Sequence, residues 1–234
     1  MTRTLPKRLG MLAPSSNTVL EPETAKLLPA DGSVTTHVSR IRVRHITADA
    51  SSRSQFDLAC MVEAAELLSD ADVDLILWNG TAASWLGFDR DEAVVAAIEA
   101  ATGTRTTTAV IAINEALSRL GASRIGLVTP YVAELEADIT ANYAGIGITV
   151  ASACRLDLTV NTDYAAVSPE RLAEMVRQVA SVDVDTVVIL CTNLAGSSIA
   201  PRLSHELGIP VIDSVRIALE HSLSILTKAR EKDA

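Results

Sequence analysis

Aromatic side chains are almost missing from this 234-residue chain: two Trp, three Tyr and two Phe amount to 3% of it. Its core therefore has to rest on Ala, Val, Leu and Ile. Cysteine is scarce as well. Cys60, Cys154 and Cys191 show no CxxC spacing, which argues against a disulfide framework or a zinc site and implies reduced thiols in a cytoplasmic protein. No run approaches the roughly 18–20 consecutive apolar residues of a membrane span, and the opening MTRTLPKRLGMLAPSSN lacks the sustained apolar segment of a secretion leader. Basic residues number 20 against 29 acidic ones, a net charge of −9, which weighs against a nucleic-acid or anionic-membrane surface. No GxGxxG follows a strand pattern, and neither GxxxxGK[ST] nor GxSxG occurs. The common phosphate loops and the hydrolase elbow are thus unsupported. His37, His45, His205 and His221 have no partner at metal or triad spacing, and no metal is expected; His205 and His221 fall on expected helices and read as solvated.

What is present is alternation. Apolar strand-like runs at 8–14, 33–43, 73–80, 124–131, 148–156, 184–191 and 209–214, with a short one after 104, are separated by helical segments at 54–71, 89–103, 132–147, 168–181, 198–208 and 215–230. Such alternation implies βαβ units and parallel sheets. The pattern also restarts halfway. RLGMLAP (8–14) matches RIGLVTP (124–130), and VDLILWNGT (73–81) matches VDTVVILCT (184–192), which sets Gly80 against Cys191 and Thr81 against Thr192. TGTRTTTAVIAINEAL (102–117) echoes LGIPVIDSVRIALEHS (207–222) in the same order. The expected fold is α/β, with two pseudo-symmetric Rossmann-like lobes, each a mainly parallel sheet flanked by helices. Residues 1–117 form the first lobe and 118–214 the second, with helix 215–230 packing back on the first. The cleft between such lobes is the default ligand site.

Cys191 closes an apolar run and is followed by Thr192 and Asn193. The carboxyl end of a parallel strand is where open α/β sheets place their chemistry, although cysteine is also simply a common buried residue. Cys60 and Cys154 lack such donor neighbours and read as structural. Arg40, Arg42 and Arg44 alternate along one strand; they either face acidic ligands or guard an edge strand with charge.

These landmarks resemble the Asp/Glu racemase superfamily, and within it the maleate cis-trans isomerases and arylmalonate decarboxylases. The likeness rests on PSSNTVLEPE (14–23), VTPY (128–131), NT (161–162) and CTNLAGSSIAPRLSHELGIPV (191–211). It implies a cofactor-independent enzyme, homo-oligomeric, acting on a small carboxylate or dicarboxylate. Racemases and maleate isomerases of the superfamily carry a cysteine in each lobe, whereas this chain has Gly80 in the first. Decarboxylases of the arylmalonate type have Gly-Thr there too. The resemblance makes Cys191 the single proton donor to an enediolate. Thr81, Tyr131, Thr192 and Asn193 are read as donors to the substrate carboxylate, Gly80 and Ala82 as part of its binding loop, and Pro14 and Pro130 as the cleft floor. Decarboxylating relatives usually have serine where Ala82 stands, leaving its backbone N–H or Ser84 to substitute. Asn17 is read as a second carboxylate contact or as a helix cap, and Asn161 as a binding residue or a plain turn. Arylmalonate-type decarboxylation leads; maleate isomerisation, racemisation and non-catalytic binding of a small acid are the alternatives. Cysteine introduced at Gly80 is expected to add racemase-type exchange.

Overall fold

The computed structural model describes residues 5–232, with side chains of the last helix through Lys228. The first four residues of the segment read for a leader lie outside this range. In chain order the elements are β1 (Lys7–Pro14), α1 (Leu20–Leu27), β2 (Val34–Ile41), α2 (Ala50–Ser54), α3 (Leu58–Ser69), β3 (Leu75–Trp78), α4 (Ala83–Leu86), α5 (Asp89–Thr102), β4 (Thr106–Thr108) and α6 (Ala109–Leu120). They continue with β5 (Arg124–Thr129), α7 (Ala133–Gly145), β6 (Thr149–Arg155), α8 (Asn161–Tyr164), α9 (Pro169–Ala180), β7 (Thr186–Ile189), α10 (Ala200–Leu207), β8 (Val211–Asp213) and α11 (Ser214–Lys232).

The strands form two four-stranded parallel sheets with matching orders, β2-β1-β3-β4 and β6-β5-β7-β8. This is the two-lobed α/β architecture expected from the repeat. The central strands are buried on both faces: every residue of β3 and of β7 is buried, which is why they read as unbroken apolar runs. Along β1 the side chains alternate. Leu9, Met11 and Ala13 join a core layer with Leu75 and Leu77, while Leu12 faces the other. The first layer is closed by α11, whose Val215, Ala218, Leu219 and Leu226 lie in it. Burying each Val or Leu there contributes about 1.5–3 kcal/mol, which holds the C-terminal helix against the first sheet.

Local chemistry sets the details. The apolar pattern at 54–71 predicts one helix; the structure has it as α3, starting later at Leu58, with only Ser54 of that span in the preceding α2. α2 ends at Ser54 and α3 starts after Asp57, whose side chain accepts the Ala59 N–H (3.2 Å) as an N-cap. The run at 33–43 is paired only to Ile41; Arg42 and Val43 continue it outside the sheet. β2 is an edge strand, as charge guarding requires, but only Arg40 of the three arginines belongs to it. Gly103 and Gly121 end α5 and α6 in the left-handed conformation (φ 68° and 65°), as their placement after each helical pattern predicts. Among the described residues no helix is long and apolar enough to cross a membrane.

Candidate active site

Both β3 and β7 stop short of the chemistry. β3 ends at Trp78 and β7 at Ile189, so Gly80 and Cys191 each stand two residues beyond a strand's carboxyl end. The backbone has left the ladder there, and its polar groups are free to face the cleft between the sheets. One buried cavity collects ten residues singled out from the sequence; Pro130, expected with Pro14 at the cleft floor, does not line it. Pro14, Asn17, Gly80, Thr81 and Ala82 come from the first half of the chain, and Tyr131, Asn161, Cys191, Thr192 and Asn193 from the second. Space for a water-sized sphere amounts to only about 20 Å³, room for about one water.

Cys191 is 4% exposed. Its Sγ accepts the backbone N–H of Asn193 at 3.4 Å. Burial pushes its pKa up to about 11, against the smaller pull of the Asn193 N–H and the Tyr131 hydroxyl; nearby Asp213 adds to the rise. The group is therefore a thiol at neutral pH, poised to give a proton. Tyr131 is fully enclosed, and burial holds its hydroxyl protonated. It shares a 2.7 Å hydrogen bond with the Thr81 hydroxyl. Two hydroxyls joined by one bond leave one O–H still to be donated. The backbone N–H groups of Thr81, Ala82 and Thr192, all residues of the cavity wall, have no protein acceptor among the described residues.

The other polar side chains are spent on joining the halves. Asn17 uses its amide oxygen to cap α1, accepting the Val19 and Leu20 N–H groups (both 3.0 Å), while its Nδ2 donates to the carbonyl and hydroxyl of Thr192 (both 3.2 Å). The Thr192 hydroxyl donates onward to the Asn79 carbonyl (2.8 Å). Asn193 accepts from the Thr18 and Val19 N–H groups and donates to the Asn161 carbonyl (2.6 Å), and Asn161 donates to Ser16 (2.7 Å). The side chains of Thr192 and Asn193 are thus seam contacts rather than the free donors expected, and of that reading the backbone N–H of Thr192 stays open. Asn17 is a helix cap that also reaches the second half. Asn161 opens the one-turn α8 rather than a plain turn, and its amide is turned to Ser16. Ser84 does not reach in for the missing serine: its hydroxyl donates to the Thr81 carbonyl (2.6 Å) and stays outside the cavity.

The sequence reading missed the apolar wall. Ile46, Phe56 and Trp85 complete the cavity, and they hide among ordinary core residues in the sequence. Edge-to-face contacts join Phe56 to Trp78 and Trp85 (centroids 6.5 and 6.1 Å), Trp85 to Tyr131 (4.6 Å), and Tyr131 to Tyr164 (6.0 Å). Most of the chain's few aromatic rings therefore stand at this one place.

Trp78 bears directly on the expectation for Gly80. A Cβ built there would overlap Cζ2 and Cε2 of the indole and come within 2.8 Å of Cη2. Indole thus fills the space a first-lobe side chain needs, so a thiol introduced by Gly80→Cys has to displace it. Three other readings shift. Cys60 is exposed near the start of α3, whereas Cys154 is buried with its Sγ on Gln178 Oε1 (3.4 Å). His221 is not solvated: it bonds Thr107 (3.1 Å) and Glu115 (3.2 Å), its side chain 11% exposed, and burial lowers its pKa. His205 is exposed, as expected. Arg40 fastens the site loop, donating to the Pro14, Ser15 and Asn17 carbonyls (3.0–3.4 Å) and pairing with Glu21.

Two parallel α/β sheets of matching strand order, with a buried thiol in the cavity that residues of both line, define the class: a two-lobed α/β protein with a candidate site at the seam. Its sequence places it further. The chain belongs to the arylmalonate decarboxylase family, whose model matches residues 9–231. It is 27% identical to a maleate isomerase of Geobacillus stearothermophilus over 221 residues, 88% of this chain and 86% of that one. It is 25% identical to an arylmalonate decarboxylase of Bordetella bronchiseptica over 205 residues, 84% of each. Among solved structures, a cysteine-to-serine mutant of the Nocardia farcinica maleate cis-trans isomerase with a covalently bound succinylcysteine intermediate superposes with a TM-score of 0.81. The two are 25% identical, over 94% of this chain and 93% of that one. Its homologues being enzymes, the chain is read as one.

Proposed function

We propose that this protein is a cofactor-independent decarboxylase of a substituted malonate, with Cys191 as its single proton donor. The observation that carries the reading is the filled space at Gly80: the position facing Cys191 bears no side chain, and the Trp78 indole lies where one would go. Two-base inversion needs an acid and a base on opposite faces of the carbon. One-sided protonation does not.

The step balances with the groups present. The bond between the α-carbon and one carboxylate breaks, CO₂ leaves, and its electron pair passes into the remaining carboxylate as an enediolate. Charge develops on that carboxylate, where the spare Tyr131–Thr81 proton and the open N–H groups of Thr81 and Ala82 are best placed to stabilise it. The S–H bond of Cys191 then breaks, its proton forms the new C–H bond, and the thiolate recovers a proton from water. A thiol held protonated by burial suits that role. The wall of Ile46, Phe56 and Trp85 suits an apolar or aryl substituent and a leaving carboxylate stripped of water. The cavity has to widen beyond about 20 Å³ for such a ligand, so the described state is a closed one.

A second reading, maleate isomerisation, is favoured by the 27% identity to a maleate isomerase. It requires a cysteine thiolate as nucleophile together with a separate acid, and a buried thiol with pKa near 11 opposes it. Incubation with phenylmalonate, methylmalonate, maleate, aspartate and hydantoins in D₂O separates the readings. CO₂ release from a malonate with one deuterium in the product supports decarboxylation; fumarate from maleate replaces it with isomerisation. If no acid turns over, yet a small diacid protects Cys191 from iodoacetamide, the protein is a binder.

A further inference from the structure

We infer that a cleft lined by Arg42, Arg44 and His45, immediately outside the Cys191 cavity, is a capture site for small dianionic carboxylates. The inference rests on the decarboxylase reading only for the identity of the anion. The cleft has a volume of about 460 Å³, and its remaining wall is Thr47, Ser51, Ser52 and Gln55 with the Asp49 carboxylate. Arg42 and Arg44 are both exposed, alternating with the buried Ile41 and Val43, so an extended backbone turns both guanidinium groups outward on one side. Neither makes an ion pair or a side-chain hydrogen bond among the described residues. Most other arginines do, Arg40, Arg53, Arg155 and Arg177 among them.

The one acid in the cleft is already engaged. Asp49 accepts from the Thr47 hydroxyl (2.7 Å), the Ser51 hydroxyl (2.6 Å) and the Ser52 N–H (2.9 Å). Those neutral donors keep Asp49 ionised, so two unpaired guanidinium groups stand against one carboxylate and leave the cleft net positive, in a chain whose net charge is −9. Each matches a carboxylate through paired N–H donors, and a spaced pair matches a dicarboxylate. Elsewhere the acidic surface repels such an ion, so a local positive cleft concentrates it there.

Position joins the cleft to the chemistry. His45 and Thr47 line the outer cleft, whereas Ile46 between them lines the Cys191 cavity. Consecutive residues of one segment therefore line the two spaces. That same segment is tied to the other half of the chain: Ile46 donates to the Thr159 carbonyl (2.8 Å), and Asn161 donates to the Arg44 carbonyl (3.0 Å). An anion held on the outside thus rests against the strip that separates it from the thiol, while the inner cavity is too small to receive it directly.

The test combines an Arg42→Gln/Arg44→Gln variant with a binding measurement that needs no turnover. Malonate is titrated into the intact protein while the arginine side-chain N–H resonances are followed. Shifts at Arg42 and Arg44 that saturate, and a rise in KM of about tenfold at low ionic strength with kcat unchanged in the variant, are expected. The difference should shrink as the screening length falls from about 30 Å to about 8 Å. Succinate and inorganic phosphate serve as comparison ions: equal saturation by phosphate would overturn a site for dicarboxylates. Unmoved arginine resonances, or a variant with wild-type KM at every ionic strength, would remove the site while leaving the decarboxylase standing. Saturating shifts in a protein that turns over no malonate would leave the site standing and remove the decarboxylase.

Discussion

The carboxyl ends of β3 and β7 are the same place in two sheets of matching strand order, and they have been furnished differently. Beyond β7 stand Cys191 and Thr192; beyond β3 stand Gly80 and Thr81. Two residues earlier, β7 carries Ile189 and β3 carries Trp78, whose indole covers Gly80. Acids show the same contrast. Each lobe buries one carboxyl whose pKa burial raises to about 7: Asp91, bonded to Thr108, in the first, and Asp213 in the second, with its Oδ2 unpartnered. The repeat thus supplies a symmetric frame, and the choice of side chain at each strand end makes the chemistry one-sided.

Removing the one-sided element has the largest expected effect. Cys191→Ala should lower kcat by roughly 10²–10⁴-fold, the usual worth of a positioned acid, with circular dichroism and melting close to the parent. Activity within tenfold of the parent would break the comparison, because the two strand ends would then be equally empty. Next comes the donor that the second lobe lends to the first. Tyr131→Phe should cost about 10²-fold in kcat, in the range for an oxyanion donor, with kcat and kcat/KM falling together; a change in KM alone would mean that it only binds.

Gly80→Cys sharpens the contrast directly. We expect the thiol to force the indole aside at about 1–3 kcal/mol of stability, as overpacking does, without raising α-hydrogen exchange. Exchange should appear only when Trp78 is also reduced, as in a Trp78→Leu/Gly80→Cys variant. A Gly80→Cys protein with parental stability and rapid exchange would contradict the role given to Trp78. At the seam, Asn161→Ala removes a donor to Ser16 and should cost about 1 kcal/mol by denaturant titration, the net worth of a hydrogen bond.

A separate signal lies in pH dependence. Asp213 has a folded pKa near 7, raised from 3.8 by burial. The folded state therefore holds its proton through a window in which the unfolded chain has lost it. Stability from this group falls as pH rises from about 4 to about 7 and is level above that. An Asp213→Asn variant should show a flatter slope than the parent across that window, and an unchanged slope would mean that the carboxyl is not buried as described.

How much of this was legible beforehand follows from what each residue does. The sheets were readable because β1, β3, β5 and β7 are buried on both faces, and their apolar runs recur in order. The polar cavity residues were readable because strand ends punctuate those runs. Trp78 was not, since it sits inside LILW, where an indole looks like any core side chain. Ile46, Phe56 and Trp85 were silent for the same reason. Hydrogen-bond capacity was also invisible: sequence supplies the amides of Asn17, Asn161 and Asn193 but not the fact that they bind one another's segments. The late start of the helix expected over 54–71 depends on Asp57 as a cap, a weak signal inside a periodic stretch.

The central claim is that protonation comes from one face only. Decarboxylation of α-methyl-α-phenylmalonate in D₂O, followed by chiral separation and mass analysis of the acid formed, tests it most directly. The account predicts a single enantiomer carrying one deuterium that neither racemises nor exchanges on longer incubation. A racemic product, or deuterium that keeps entering the finished acid, would contradict it.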